Sequence, residues 1–371
     1  MKIVCERSPL LSAFQTAALV APTRTPKAIL KNVKFEAAEN VLVLMATDLE
    51  VGIRIEVEGV EIQEPGSIVA PITQLASILR ESVDDRLRIE ADAQRIVIEG
   101  ERSRFVLPEQ NPDEFPNVVC FEEQAYHEIS SRLFRELIRR TLFATESESS
   151  RYALGGVYLE FEPERITAVA TDGRRLAKME GAAQAVGTRD DNEVMTIVPN
   201  RAMQLMERAI TEVDANIHLA ARHNDILVRS SRAVIYSRLV EGRFPRWRDV
   251  FPQRQESIQI DLAVGPLYSA LRQASIVASD ESRGIGFEFG EGNLVLTAAT
   301  TEIGQSRVEL PIPYTGAGVK ITLDHRFVAD FLRVLAAEQS VRIDIENGES
   351  AALFTTEDGY GYVVMPLARD A

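Results

Sequence analysis

The sequence predicts an α+β protein made of three copies of one unit. Three observations carry this. Paired alternating segments recur at 32–50, 156–176 and 284–304: NVKFEAAENVLVLMATDLE, GVYLEFEPERITAVATDGRRL and GIGFEFGEGNLVLTAATTEIG. Each runs into an Ala-Thr landmark, beginning at 46, 170 and 299, so the copies are offset by 124 and 129 residues. A helix-like segment precedes each pair (6–20, 130–145, 266–279) and another follows it (71–83, 199–211, 324–337).

Alternating apolar and polar residues around a polar turn read as β-hairpins. Pro71 and Pro199 stand where the start of a helix tolerates proline. Two further strands are expected to close each copy, within 86–108, 216–240 and 341–366. A repeat of about 120 residues is too long for a solenoid, so each copy is expected to be a domain with its own core. The domains expected are 1–124, 125–252 and 253–371, with linkers near 121–128 and 250–258.

Apolar residues make up 45% of the chain and charged residues 26%, as in ordinary globular proteins. No apolar run is long enough to span a bilayer. Glu6 and Arg7 fall where a signal peptide would be apolar, so a cytoplasmic location is expected. Cys5 and Cys120 lack CxxC spacing and neighbouring histidines. They are expected to be reduced, partly buried thiols.

The net charge of −15 argues against nucleic acid when taken as a sum. Its distribution argues otherwise. The six helix-like segments together carry +5, leaving −20 for the strands and loops. In 130–145, Phe134, Leu137, Ile138 and Leu142 form a stripe to be buried, while Arg132, Arg135 and Arg139 share another face. If three such domains lie in a ring with their helices inward, arginines on all six segments could face one lumen: Arg7, Arg80, Arg132, Arg135, Arg139, Arg201, Arg208, Arg272, Arg326 and Arg333. Such a lumen would attract phosphates without reading bases.

Enzyme signatures are absent. There is no GxxxxGK[ST] loop, and the glycines of GIGFEFG run along a strand and do not open a helix. His127, His218, His223 and His325 lack metal-ligand spacing. No catalytic residue, metal or cofactor is expected. Thr171-Asp172 could suggest a nucleophile beside a base, but Asp48 and Glu302 stand at the equivalent repeat positions. A repeated turn, with the carboxylate bonded to local backbone, is the expectation.

Seven strings identify a resemblance along essentially the whole chain: ATDLE (46–50), SRFVLP (103–108), EFPN (114–117), ATDGRRLA (170–177), IVPN (197–200), LVEGRFPRW (239–247) and YVVMPL (362–367). In this order and at these distances they resemble bacterial β sliding clamps, the β subunits of DNA polymerase III. The resemblance implies three similar clamp domains per chain and a head-to-tail homodimeric ring. It also implies helices lining a central hole around double-stranded DNA, and no enzyme activity. Implied partners are the replicative DNA polymerase, a clamp-loader ATPase complex, and repair and replication proteins bearing short apolar peptides. The implied location is cytoplasmic and nucleoid-associated.

The resemblance also assigns residues. A partner-peptide groove is implied at Leu154, Thr171, Gly173, Arg174, Leu176, Pro245, Val250, Val363, Val364, Met365, Pro366 and Leu367. DNA contacts are implied at Arg24, Arg151, Tyr152 and Arg201, joining the helix arginines Arg132, Arg135 and Arg139. Ring closure is implied at Phe105 and Leu107 on the first domain and Ile276 and Val277 on the third, with Arg102 and Arg104 facing acids such as Glu302. The chain departs from the family pattern at Arg174, where some members have histidine, and at Ala368, where many have a basic residue. Thr73 also stands where some relatives are basic. The alternative is a clamp-like interaction scaffold that does not encircle DNA. A hydrolase is a more distant one.

Overall fold

Each copy of the repeat begins with a strand that runs directly into a helix, and a second strand-helix pair follows the hairpin. In the computed structural model these helices are α1 (Arg7–Ala18), α2 (Ile72–Glu81), α3 (Ser131–Thr141), α4 (Asn200–Ala209), α5 (Val264–Ala274) and α6 (His325–Arg333). The structure describes residues 1–371 except 23, 93, 147–151, 188–194, 253–256 and 368–371. Pro71 and Pro199 are the capping residues of α2 and α4, where the missing N–H costs no helical bond. The Asp324 carboxylate caps α6 by accepting from the Arg326 N–H at 3.0 Å.

The chain forms two compact units. The first comprises Met1–Arg135, Glu162–Glu164 and Ala183–Leu239. It holds a nine-stranded antiparallel sheet in which Val51–Val57, from the first repeat, pairs with Ala233–Arg238, from the second. Its five-stranded sheet ends on the edge strand Arg104–Pro108. Phe14 of α1 and Phe35 of the sheet are fully buried, their rings 6.1 Å apart.

The second unit comprises Glu136–Phe161, Arg165–Ala182 and Val240–Ala371. There Arg175–Ala182 of the second repeat pairs with Gly361–Val364 of the third, the same joint made a second time. A four-stranded sheet ends on the edge strand Gly304–Pro311. Phe331, Phe354, Tyr360 and Tyr362 fill the core beneath α6, with Phe331 stacked 5.0 Å from Tyr362. The buried Tyr360 hydroxyl donates to the Arg140 carbonyl at 2.6 Å.

Several expectations are corrected. Three strands, not two, close each copy: for example Arg86–Ala91, Arg95–Glu99 and Arg104–Pro108 in the first. A single alternating run of that length conceals its turns. The linker expected at 121–128 ends early, because Tyr126–Ser130 is a strand paired with Asn216–Ala221. The linker expected at 250–258 likewise meets the strand Ile258–Ala263. Leu142 lies past the end of α3, in a 3-10 turn, and is half-buried. Cys5 is buried as a strand residue, but Cys120 is exposed. Among the described residues no helix is long and apolar enough to cross a membrane.

Burial pushes the Cys5 thiol up to about 12, and its Sγ donates to the Leu87 carbonyl. A disulfide reagent at pH 8 is therefore expected to modify one thiol per native chain, Cys120, and the second only on unfolding. Two fast-reacting thiols in the folded protein would contradict this placement.

Candidate functional site

The Thr-Asp landmarks are paired turns with one geometry. Thr47 Oγ1 donates to the Val51 carbonyl and accepts from the Leu49 N–H, while Asp48 accepts from the Glu50 and Val51 N–H groups. Thr171 and Asp172 repeat each bond, to Arg175 and from Gly173, Arg174 and Arg175. The turn needs a left-handed residue, supplied by Gly173 at φ 88° and by Leu49 at φ 81°. In the third copy Glu302 does not take the carboxylate's role. The turn bond there runs from the Ile303 N–H to the Thr300 hydroxyl.

The second turn places the expected groove residues. Leu176 faces Val363 and Arg175 faces Val364 across the strand pair. The ladder continues as the Met365 N–H donates to the Arg174 carbonyl at 2.9 Å, and Leu367 N–H to the Thr322 carbonyl at 2.9 Å. Chain 242–251 borders the same strands. Gly242 abuts Ala153, Phe244 stacks on Tyr158 at 5.1 Å, and the Phe251 ring lies against Gly361. Thr171, Gly173, Arg174, Leu176, Val363, Val364 and Met365 are thus brought together by one strand joint. The 242–251 segment carries Pro245 and Val250 beside the stretch that holds Leu154.

Burial divides these residues in two. Leu154, Thr171, Leu176, Val363 and Val364 are buried; Pro366 and Leu367 are half-buried. Gly173, Arg174, Pro245, Val250 and Met365 are exposed, with Met365 at 47% and Val250 at 44%. An apolar floor with exposed Met and Val side chains is the composition of a surface that takes apolar anchors.

Sequence reasoning passed over Arg175. Its guanidinium is nearly buried, pairs with Asp172 at 3.0 Å and Asp330 at 2.8 Å, and donates to the Phe143 carbonyl at 2.6 Å. It lies 4.4 Å over the Phe327 ring, with Arg174 5.8 Å from that ring. Burial alone would lower its pKa. Tyr362, Asp330 and Asp172 carry it above the usual arginine value. A second buried arginine, Arg140, bonds Glu136 at 3.0 Å and Asp358 at 2.5 Å. The period-2 alternation sets Arg175 on the strand face opposite its exposed neighbour Arg174 but does not state its partners, and no such alternation applies to Arg140, which lies on α3.

The expected DNA-contact residues are mostly at the surface. Arg24 is exposed, Arg132 pairs with Asp214 at 3.0 Å, and Arg139 with Glu136 at 2.8 Å. The exposed Arg132–Asp214 pair contributes little and exchanges readily for another anion, whereas Glu136 is half-buried and also holds Arg140. Arg135 is half-buried, with Nε lacking a partner among the described residues. Arg201 is engaged by Asp48 at 2.5 Å and by the Val20 carbonyl at 2.6 Å. Arg7, assigned to a lumen, instead donates to the Leu79 and Asp84 carbonyls. It serves as a local clamp at the end of α2. Tyr152 lies in the 3-10 turn Tyr152–Leu154. Arg151 and Ala368 lie outside the described residues.

The expected closure residues sit at the two sheet edges. Phe105 and Leu107 are on the edge strand Arg104–Pro108, Phe105 exposed and Leu107 buried, with the exposed Val106 between them. Ile276 and Val277 form the 3-10 turn after α5, Ile276 75% exposed. Arg104 bonds Glu99 of its own chain at 2.9 Å. Among the described residues no group of His, Cys, Asp and Glu could hold a metal ion. His218 bonds Arg229 and Glu128 instead, and burial, then the Arg229 charge, lower its pKa.

Three family models match in succession: the DNA polymerase III beta subunit N-terminal domain over 1–119, its central domain over 128–246 and its C-terminal domain over 248–368. The chain is 30% identical over 373 residues to the beta sliding clamp of Pseudomonas putida, covering 99% of this chain and 100% of that one. A crystal structure of the DNA polymerase III beta sliding clamp of Pseudomonas aeruginosa bound to griselimycin superposes with a TM-score of 0.91 at 29% identity, covering 99% of both chains. The Bacillus subtilis DNA polymerase sliding clamp shares the fold at 21% identity and TM-score 0.90, over 99% of both chains.

Removing Asp330 leaves Arg175 nearly buried with half its carboxylate partners. Asp330→Ala is expected to cost about 2 kcal/mol, read as a lower urea midpoint. An unchanged midpoint would show that the Arg175 network contributes nothing to stability.

Proposed function

Because the chain belongs to the DNA polymerase III beta subunit family, the beta sliding clamps, we propose that two copies close head to tail into a ring around duplex DNA and act as a processivity factor. The ring tethers the replicative polymerase and other replication and repair proteins. The proposed domains are 1–124, 125–252 and 253–371. The chain performs no chemistry of its own, so opening and loading fall to a separate ATPase. A cytoplasmic, nucleoid-associated location follows from these partners.

One observation carries the closure. The strand after the Thr-Asp turn pairs twice with the last strand of the next repeat, Val51 facing Ser237 and Arg175 facing Val364. The corresponding strands left over are Gly304–Pro311 and Arg104–Pro108, each at a sheet edge. They belong to the third and first repeats, and in the proposed ring a second copy supplies the partner that completes the pattern. Carried over from the internal joints, the register of the proposed closure puts Gly304 opposite Leu107 and Ser306 opposite Phe105. Phe143 packs on Tyr362 at 5.7 Å in the internal joint. Their counterparts are Ile276 and Phe105, which would meet across the closure. Pairing buries two exposed edges that otherwise invite aggregation.

Inside the ring, the arginines Arg24, Arg132, Arg135, Arg139, Arg151 and Arg201, with Tyr152, meet the phosphate backbone without base readout. On each chain the groove around Leu176, Val364, Met365 and Leu367 takes the partner's peptide, with Pro245 and Val250 along one side.

Two outcomes are expected. Sedimentation of the unaltered chain gives twice the single-chain mass, and Ile276→Arg gives single chains, since closure would bury an unpaired charge. Single chains of the unaltered protein at micromolar concentration would overturn the ring. A polymerase-derived peptide with apolar anchors binds at micromolar strength, about −8 kcal/mol. Met365→Glu abolishes that binding and leaves the dimer mass unchanged. Equal binding by the variant would show the groove to be elsewhere.

A further inference from the structure

The two internal joints share a backbone but differ in filling. Between the first and second repeats, offsets along the chain make Leu19 the counterpart of Phe143, Val51 of Arg175, Ala202 of Phe327 and Leu205 of Asp330. In the second joint these positions form a plug. The Arg175 guanidinium spans to Asp330 between the Phe143 and Phe327 rings, 5.4 and 4.4 Å away. In the first joint the same positions carry small or aliphatic side chains, and the space stays open. A cavity of about 300 Å³ is lined there by Leu19, Val20, Val51, Leu205, Gln204 and the arginines Arg201 and Arg208.

The chemistry of this cavity selects its occupant. Val20, Val51 and Leu205 are buried and form an aliphatic floor, while Leu19 stands 40% exposed at the rim. The volume is at the lower end for ligand pockets and suits one large apolar side chain. The Arg201 guanidinium is already held by Asp48 and the Val20 carbonyl. Arg208, exposed on the last turn of α4, has no ion pair among the described residues and is the open cation at the edge. Leu49, in the turn just before Val51, is also 40% exposed at a positive φ of 81°, a strained conformation for leucine.

We propose that this cavity is a second docking site, taking a partner peptide with a large apolar side chain next to a carboxylate. The apolar side chain fills the unplugged space, and the carboxylate pairs with Arg208. The site lies wholly within the first compact unit and shares no residue with the groove around Met365, so it stands or falls independently of that groove.

The test is methyl NMR of the full-length protein, labelled at leucine and valine, titrated with capped acetyl-leucyl-aspartyl-phenylalaninamide. Shifts are expected at Leu19, Val51 and Leu205. Leu19→Phe, which restores part of the plug, and Arg208→Glu should each weaken binding roughly tenfold. Should Leu19→Phe misfold, the charge swap still decides: Arg208→Glu should recover binding of the probe with lysine in place of aspartate. In the Met365→Glu protein the shifts should persist. Shifts confined to Leu154, Leu176 and Leu367, or none at millimolar probe, would overturn the proposal. So would displacement of the probe by a short duplex whose own binding is lost in Arg208→Glu, which would make the cavity a phosphate contact.

Discussion

The structure depends on one hand-over: the strand leaving each Thr-Asp turn pairs with the last strand of the following repeat. A strand edge carries a row of unpaired N–H and C=O groups, and a repeat cannot satisfy both of its own edges. Pairing Val51–Val57 with Ala233–Arg238, and Arg175–Ala182 with Gly361–Val364, satisfies them across repeats. The compact units therefore do not follow the repeats. The chain of the second repeat is divided between them, because its two sheets each belong to a neighbour's.

Identical backbone joints accept very different side chains. Arg175 is tolerated in a nearly closed site only because Asp172, Asp330 and the Phe143 carbonyl surround it. Without those partners its desolvation would be prohibitive. The first joint solves the same packing problem with Val51 and Leu205, which need no partners but occupy less space. Geometry is conserved between the joints by the ladder and the turn bonds, while chemistry varies with the side chains hung on them.

The basic residues of the helices also serve more than one purpose. Arg140 and Arg7 spend their donors on internal carboxylates and carbonyls, whereas Arg132 holds a loose surface pair and the exposed Arg139 shares Glu136 with Arg140. Formal charge on a helix thus overstates the charge available to a polyanion. A protein of net charge −15 presents usable positive charge only where arginines lie outside such clamps.

Much of this was legible in the sequence by itself. The threefold offset, the hairpins, the six helices and the family all follow from periodicity and from strings such as ATDGRRLA and YVVMPL, because alternation and turn residues are local properties. The residues expected to line a partner groove could be named only through the resemblance, since they come from distant stretches of chain. Three things were decided by tertiary structure alone. Long alternating runs such as 86–108 hide their turns, so the strand count needed the ladders. The unit boundaries depend on which edge pairs with which, and a strand's own residues do not state its partner. The roles of Arg175, Arg140 and Arg7 depend on what surrounds a guanidinium in space, and nothing in a one-dimensional pattern separates a clamped arginine from a free one.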